Sequence, residues 1–342
     1  MLQSKSNWNF LKLQEHTTLI EDEEVKLSPV IKELLIQRGI KTSEEIQKFL
    51  SPSLEDLINP EQLASMDIAR DRVIRAIQNR EKILVFGDYD ADGVTSTTIL
   101  IKALQELGAE CDFYIPNRFT EGYGPNEAAF RRAYDDGFQL IITVDTGIAS
   151  VHEAKVAKEI GLDLIITDHH EPQDELPEAL AIIHPKCSPD YSFKELAGAG
   201  VAFKFAQALL GYFPEQFLDL VVIGTIADLV PLVGENRILA YYGLRKLSVT
   251  RREGLLALKK QCKLEGNVTE EDIGFLIGPR LNAVGRLQDA DLAVQLLMSD
   301  DREEAEQLAE MVQQLNVERQ QIVASIVKEV EEQVEIDEKK VL

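Results

Sequence analysis

"KILVFGDYDADGVTSTTIL", residues 82 to 100, decides how the chain folds. Its opening "KILVF" is a short apolar run of the kind found in a strand buried on both faces. "TSTTILIKALQELG", which continues to residue 108, reads as a helix. Between them Asp88, Asp90 and Asp92 stand at alternate positions before Gly93. That spacing matches the first half of a calcium-binding EF-hand loop, which requires a bidentate Glu at its twelfth position. Counting from Asp88, that position is Ile99, which cannot ligate, and a strand rather than a helix precedes the acidic run. The carboxylates instead stand at the carboxyl end of a parallel strand, the edge at which open α/β sheets bind ligands.

The alternation repeats along the next hundred residues. "CDFYIP", "QLIITV", "LDLIIT" and "ALAIIH" read as further strands, separated by the helical "NEAAFRRAYDDG" and "IASVHEAKVAKEIG". Strands alternating with helices of this length imply right-handed βαβ units and a parallel sheet with helices on both faces. Upstream, "SPVIKELLIQRG" and "TSEEIQKFL" are short capped helices, and "MDIARDRVIRAIQNRE" is amphipathic with Ile68, Val73, Ile74 and Ile77 near one face. From about residue 197 the chain is mostly helical. Residues 302 to 337 form one long Pro- and Gly-free helix with an apolar stripe of Leu308, Val312, Leu315, Ile322, Ile326 and Val330. Val341 and Leu342 read as the start of a strand, so the sequence reads as a piece of a longer protein.

The 342 residues, 45% apolar and 28% charged, suit a folded soluble protein with an ample core. No apolar run is long enough to span a membrane, and "MLQSKSNWNFLKLQE" lacks the features of a signal peptide. Three scattered cysteines without a Cys-x-x-Cys pair suit a reducing cytoplasm and argue against a zinc ribbon. The formal charge of -23 counts against a surface that binds nucleic acid by charge alone. Carboxylates gathered around cations are partly neutralised, however, so the figure overstates the field at such a site.

Two more polar groups arrive at the same sheet edge: Asp145 closes "QLIITVD", and Asp168, His169 and His170 close "LDLIITDHH". Taken singly, each Asp is ordinarily a helix cap, and a His-His pair is ordinarily surface or hydrogen-bonded core. Their convergence on one rim points to metal. Carboxylates with imidazole suit Mn²⁺, Mg²⁺ or Fe, and a cluster this acidic can hold two ions. Two ions activate water and stabilise an in-line displacement at phosphorus. "AGAGVAF", with Gly198 and Gly200, lacks the third Gly of a dinucleotide fingerprint and reads as easing a helix against the sheet.

"GDYDADGVTST", "IPNRFTEGYG", "VDTG", "TDHHEP", "GTIADLVPL" and "GPRLNAVGRL" together resemble the successive motifs of the RecJ-type branch of the DHH phosphoesterase superfamily. The resemblance runs along essentially the whole chain. It implies a helical cap over residues 1–60, a DHH domain over 61–300 and a connecting helix over 301–342, cut before a second (DHHA1-type) domain and an OB-fold. It implies two divalent ions, Mn²⁺ preferred or Mg²⁺, held by Asp88, Asp90, Asp92, Asp145, His169 and Asp228, with Asp145 bridging. His170 then faces the scissile phosphate, and Asp168 orients a histidine ring. Arg118, Arg280 and Asn282 bind substrate phosphate. The implied activity is cytoplasmic 5′ to 3′ hydrolysis of single-stranded DNA to mononucleotides in repair and recombination, with a single-strand-binding protein or helicase as partner. The alternatives are a nanonuclease or phosphatase of the same superfamily acting on short oligonucleotides or nucleotide phosphates, and a non-catalytic scaffold. The stacking aromatics that single-strand binding uses are hard to find, so this chain alone is expected to hold metal better than it cuts DNA.

Overall fold

A computed structural model describes residues 27–333, and the chain divides into two compact units between Leu54 and Glu55. The first unit carries α1 (Pro29–Gln37) and α2 (Ser43–Leu50). The Ser28 hydroxyl caps α1 by accepting the Ile31 amide, and Gly39 ends that helix in the left-handed region at φ 82°. Thr42 and Glu45 form a reciprocal capping box on α2. Residues 1–26 of the expected cap, residues 334–337 of the expected long helix, and Val341 and Leu342 lie outside the described residues.

The second unit opens with α3 (Met66–Asn79), β1 (Lys82–Phe86), α4 (Ala91–Glu106) and β2 (Cys111–Tyr114). It continues through α5 (Glu127–Asp135), β3 (Phe138–Val144), α6 (Val151–Ile160), β4 (Asp163–Thr167) and β5 (Ala181–Ile183). The five strands form one parallel sheet in the order β2-β1-β3-β4-β5, with Val85 opposite Phe113 on one side and Ile142 on the other. Pleating sends alternate residues to opposite faces. Ile83, Val85, Leu140, Ile142 and Ile165 join the larger core with α3 and α4. Leu84, Phe86, Ile141, Leu164 and Ile166 pack with Phe130, Ala133, Ala154 and Ala157 of α5 and α6. Helices therefore cover both faces, as the alternation predicts. The chain leaves β1 for β2 on one side and then crosses back to β3 on the other, so β1 and β3 flank the topological switch point.

α3 turns Ala69, Arg72, Val73 and Ala76 inward, and Ile68, expected on that face, is 48% exposed. The buried Arg72 guanidinium is neutralised by Glu81 and Asp163, each at 2.6 Å. Beyond the sheet come α7 (Gly198–Leu210), α8 (Leu218–Ala227), α9 (Gly234–Ser248) and α10 (Glu253–Gln261). They are followed by α11 (Glu270–Asp272), α12 (Gly278–Leu287), α13 (Asp291–Met298) and α14 (Arg302–Gln333). A wide π turn over Ile273–Ile277 leads into α12, whose Pro279 offers no amide hydrogen to a regular ladder. α8, "LDLVVIGTIA", is apolar all round because α4, α7 and α9 enclose it. α14 buries Ala305, Ala309, Val312 and Leu315 on α10, α12 and α13, whereas Ile322, Ile326 and Val330 are exposed. The expected apolar stripe therefore works as core only over its first half.

One buried ion pair ties these layers together. Lys204 of α7 is fully buried and pairs with Glu235 in the first turn of α9. Tyr191 donates its hydroxyl to Glu235, Ile58 donates its amide at 2.9 Å, and the Ile58 carbonyl accepts from Lys204. Removing one partner leaves the other charge buried and uncompensated. Glu235→Ala is expected to lower the urea-unfolding free energy by about 3–5 kcal/mol, and a loss within error of an exposed Glu→Ala would contradict this account.

Candidate metal centre

The rim at the carboxyl ends of β1, β3 and β4 gathers the acidic motifs. Asp90 is the N-cap of α4, and one of its oxygens accepts the amides of Asp92 and Gly93, both at 2.9 Å. α4 therefore starts at Ala91 rather than Thr95, and Asp92 lies in its first turn. The helix-cap reading and the ligand reading of Asp90 are compatible, because one oxygen caps while the other stays open. Asp88, 3% exposed, accepts the Tyr89 amide at 2.8 Å. Gly93 allows this turn to close, since a Cβ there would strike the Asp88 backbone.

Asp92 is held from the far side of the molecule. The Gly198 amide donates to one of its oxygens at 2.7 Å and the Ala199 amide to the other at 2.8 Å, so the N-terminus of α7 grips the carboxylate. Asp145 follows β3 with φ 59°, a left-handed backbone that costs a non-glycine residue of order 1–3 kcal/mol. Asp228 caps the C-terminal end of α8 and is one-quarter exposed. His169 Nε2 lies 3.1 Å from Asp145, 3.6 Å from Asp228 and 3.8 Å from Asp92.

Three overlapping donor sets result: Asp88, Asp90 and Asp145; Asp92, His169 and Asp228; and Asp145, His169 and His170. The first two each bring three donor atoms close enough to share one cation, and Asp145 and His169 recur in the third. Asp145 Oδ1 and His169 Nε2 are buried 3.1 Å from each other, and neither has a partner in hydrogen-bonding geometry. Such orphaned atoms are what a cation would satisfy. Two glycines make the room. A Cβ at Gly198 would collide with the Asp145 carboxylate, and one at Gly224 with Asp92, Ala199 and Thr95. Gly198 thus serves the carboxylates rather than the helix-to-sheet packing expected of it, and Gly200 sits against Leu196.

Without a cation the cluster is electrostatically frustrated. Burial, then the charges of Asp228 and Asp90, hold the Asp92 carboxyl well above its ordinary range. Burial, then Asp92, Asp90 and Asp88, do the same to Asp145. Burial and Asp90 push Asp88 up to about 7 and Asp228 to about 6. Burial, with the neighbouring His170, lowers His169 to about 4, so its ring is neutral and has a lone pair to give. His170 differs: its hydrogen bond to Asp168 outweighs burial and raises it to about 9.

Asp168 organises the histidine loop. One oxygen accepts the amides of His169 at 2.7 Å and His170 at 3.1 Å, and lies 2.8 Å from His170 Nδ1; the other accepts the Ile148 amide. The ring it fixes is that of His170, whose Nε2 faces the Tyr123 hydroxyl at 3.5 Å. Tyr123, absent from the residues expected at the site, also stands edge-on to Tyr89. Arg118 is exposed and lies over the Tyr89 ring at 5.2 Å. Asn282 accepts the Ala91 amide at 2.7 Å and so braces the start of α4. Arg280 turns toward α14, with Nε on Gln313 at 2.7 Å and Nη1 on the Leu276 carbonyl at 2.8 Å. These bonds use Nε and Nη1, so a phosphate contact of the kind expected of Arg280 falls to the remaining guanidinium donors.

Two measurements follow from this geometry. Gly198→Ala and Gly224→Ala are expected to weaken Mn²⁺ binding about 10-fold or more while the protein stays folded, as read by calorimetry and circular dichroism; unchanged affinity would show that the carboxylates tolerate the extra methyl group. The second concerns pH. Unfolded, these carboxyls lose their protons near the ordinary 3.8, and folded, Asp228 and Asp88 do so at about 6 and about 7. On these carboxyls the metal-free protein then holds more protons folded than unfolded between about pH 4 and pH 7, so, offset in part by the lowered His169, they make its stability fall as pH rises through that window. Its thermal midpoint should drop across the window, less steeply in Asp88→Asn, and Mn²⁺ should restore it with release of protons. A slope equal in Asp88→Asn and wild type would remove Asp88 from the account.

A family model described as the DHH family, N-terminal domain, matches residues 82–225. The chain is 53% identical to the single-stranded-DNA-specific exonuclease RecJ of Bacillus subtilis, over 98% of this chain and 43% of that protein. It thus spans less than half the length of that relative. A crystal structure of exonuclease RecJ bound to manganese is similar at TM-score 0.75 and 36% identity, covering 80% of this chain and 71% of that one. RecJ from Thermus thermophilus in complex with Mn²⁺ gives 0.79 at 33% identity, over 91% of this chain and 45% of that one. With the same fold, and with its motifs gathered at one sheet edge, the chain belongs to the RecJ-type branch of the DHH family.

Proposed function

We propose that the chain is the metal-bearing catalytic part of a single-strand-specific exonuclease that removes mononucleotides from the 5′ end of DNA. The observation that carries this is the pair of donor triads around the unpartnered Asp145 Oδ1 and His169 Nε2. The manganese-bound relatives support the same ion class, Mn²⁺ or Mg²⁺. On this reading Asp88 and Asp90 would hold one ion, Asp92, His169 and Asp228 the other, and Asp145 would serve the first set and stands near the second through His169. Bound, the ions supply Lewis acidity and water activation for in-line displacement at phosphorus.

The chain's own groups do the rest. His170, whose hydrogen bond to Asp168 favours the charged ring, presents Nε2 as a donor to a non-bridging phosphate oxygen, and Asp168 keeps its ring in place. Arg118 lies 5.2 Å from the Tyr89 ring centroid at the edge of the site and would meet a terminal phosphate. Asn282 keeps Asp90 and Asp92 in register through the Ala91 amide. In the reaction a water oxygen bonds to phosphorus, the P–O3′ bond breaks, and a proton passes to the departing 3′ oxygen. The product is a 5′-mononucleotide. A cytoplasmic setting suits the three free cysteines, and a single-strand-binding protein or helicase suits the substrate. No helix among the described residues is long and apolar enough to cross a membrane.

The test uses 5′-labelled single strands of graded length with Mn²⁺. Early release of labelled mononucleotide is expected, together with its loss in Asp90→Ala and His169→Ala. Shortening from the 3′ end, or equal attack on duplex, would falsify the assignment. Turnover confined to dinucleotides or nucleotide phosphates would move the protein to the nanonuclease class. Metal binding with no cleavage of any of these would favour a scaffold.

A further inference from the structure

We propose that His184 is a positioning residue that holds the loop carrying His169 and His170 in ligating geometry, through the His170 carbonyl of the peptide that follows the pair. His184 directly follows β5 and is fully buried. Its Nε2 lies 2.8 Å from the His170 carbonyl oxygen, and its Nδ1 accepts the Lys186 amide at 3.1 Å. A carbonyl only accepts and an amide only donates, so the ring carries its proton on Nε2 and a lone pair on Nδ1. One neutral tautomer satisfies both contacts. With both nitrogens engaged, His184 is not itself a ligand.

The support behind this ring does not involve the carboxylates. The Ser188 hydroxyl donates to the His184 carbonyl at 2.7 Å and accepts the Ala64 amide at 2.8 Å. Lys194 donates to the Pro185 carbonyl at 3.0 Å. β4 and β5 leave the sheet side by side, with Thr167 opposite Ile183 and the Asp168 amide on the Ile183 carbonyl. The turn carrying His184 therefore lies alongside the histidine loop. Asp168 grips that loop by its two amides, and His184 grips it by its last carbonyl. The backbone between these grips carries the His169 ring, whose Nε2 lies 3.1 Å from Asp145 and 3.6 Å from Asp228. Without the Nε2 donor the His170 carbonyl loses this partner, and the His170–Glu171 peptide that closes the histidine loop is no longer anchored. Partners of this outer kind typically change metal affinity about 10- to 100-fold.

The inference rests on the two-ion reading, so the wild-type chain is measured beside each variant. In Mn²⁺ calorimetry, His184→Ala should bind about 10–100-fold more weakly than wild type. His184→Gln, whose amide keeps a donor and an acceptor, should recover most of that loss, and Ser188→Ala should fall between. Circular dichroism and a cooperative melt establish that each variant is folded. A folded His184→Ala with wild-type affinity, or a Gln variant no better than Ala, overturns the proposal. If the His184 variants do not fold, ¹⁵N NMR of the wild-type ring in Mg²⁺ decides: the Nε2–H tautomer with coupling to the His170 carbonyl is expected, and Nδ1–H overturns it. A wild-type chain that binds no Mn²⁺ would defeat the two-ion reading itself, whereas wild-type binding with an unaffected His184→Ala would defeat only this role.

Discussion

Two hydrogen bonds, from the Gly198 and Ala199 amides to the two oxygens of Asp92, join the sheet half of the molecule to its helical half. Asp92 belongs to α4 and the amides to the start of α7, over a hundred residues apart in sequence. Two helix N-termini thus converge on one buried carboxylate, and their partial positive charge offsets part of the cost of burying it. The buried Lys204–Glu235 pair fixes α7 from below, and Asn282 fixes the start of α4 from α12. Everything that reaches the rim is oriented relative to this junction, including Asp228 at the end of the enclosed α8.

Strain and repulsion concentrate where the junction opens to solvent. Asp145 has an unfavourable backbone conformation, an oxygen without a hydrogen-bond partner, and carboxylates for neighbours. A fold without need of this arrangement would relieve it by a single substitution. The surrounding structure holds it in place instead: the Asp145 amide bonds the Thr167 carbonyl at 3.0 Å, and the absent side chain of Gly198 leaves its carboxylate space. Local destabilisation supported from elsewhere is the pattern of a functional site.

Much of this was legible in the sequence because it is local. Apolar runs such as "KILVF" and "QLIITV" announce buried parallel strands, and each acidic motif stands directly after such a run. What the sequence hid is non-local. That α4 starts at Ala91 depends on capping by Asp90 and on Asn282, which comes from almost two hundred residues later. Gly198 looks like any small residue at a helix start until the Asp145 carboxylate is seen against it. Arg280 sits in a motif suggestive of phosphate, yet its Nε donates to Gln313 of α14, and nothing in "GPRLNAVGR" signals that neighbour. Asp228 was legible only through family resemblance, because a carboxylate at a helix end has an ordinary local explanation. Tyr123 stands in "IPNRFTEGYG" without the chemistry of a ligand and His184 lies outside the quoted motifs, and only the folded chain reveals their contacts with His170.

The spacing of the donors along the chain has a consequence for folding. Asp92 and Asp228, which share one donor set with His169, bracket four of the five strands and the first two helices of the helical half, so a cation held by both closes a very long loop. Such closure cannot be made early, since its entropy cost grows with the length enclosed and the donors converge only once α7 and α8 have docked. An ion at this rim therefore acts as a late staple: it selects the completed topology and stabilises it by mass action. It offers little help to a chain still assembling its first βαβ units.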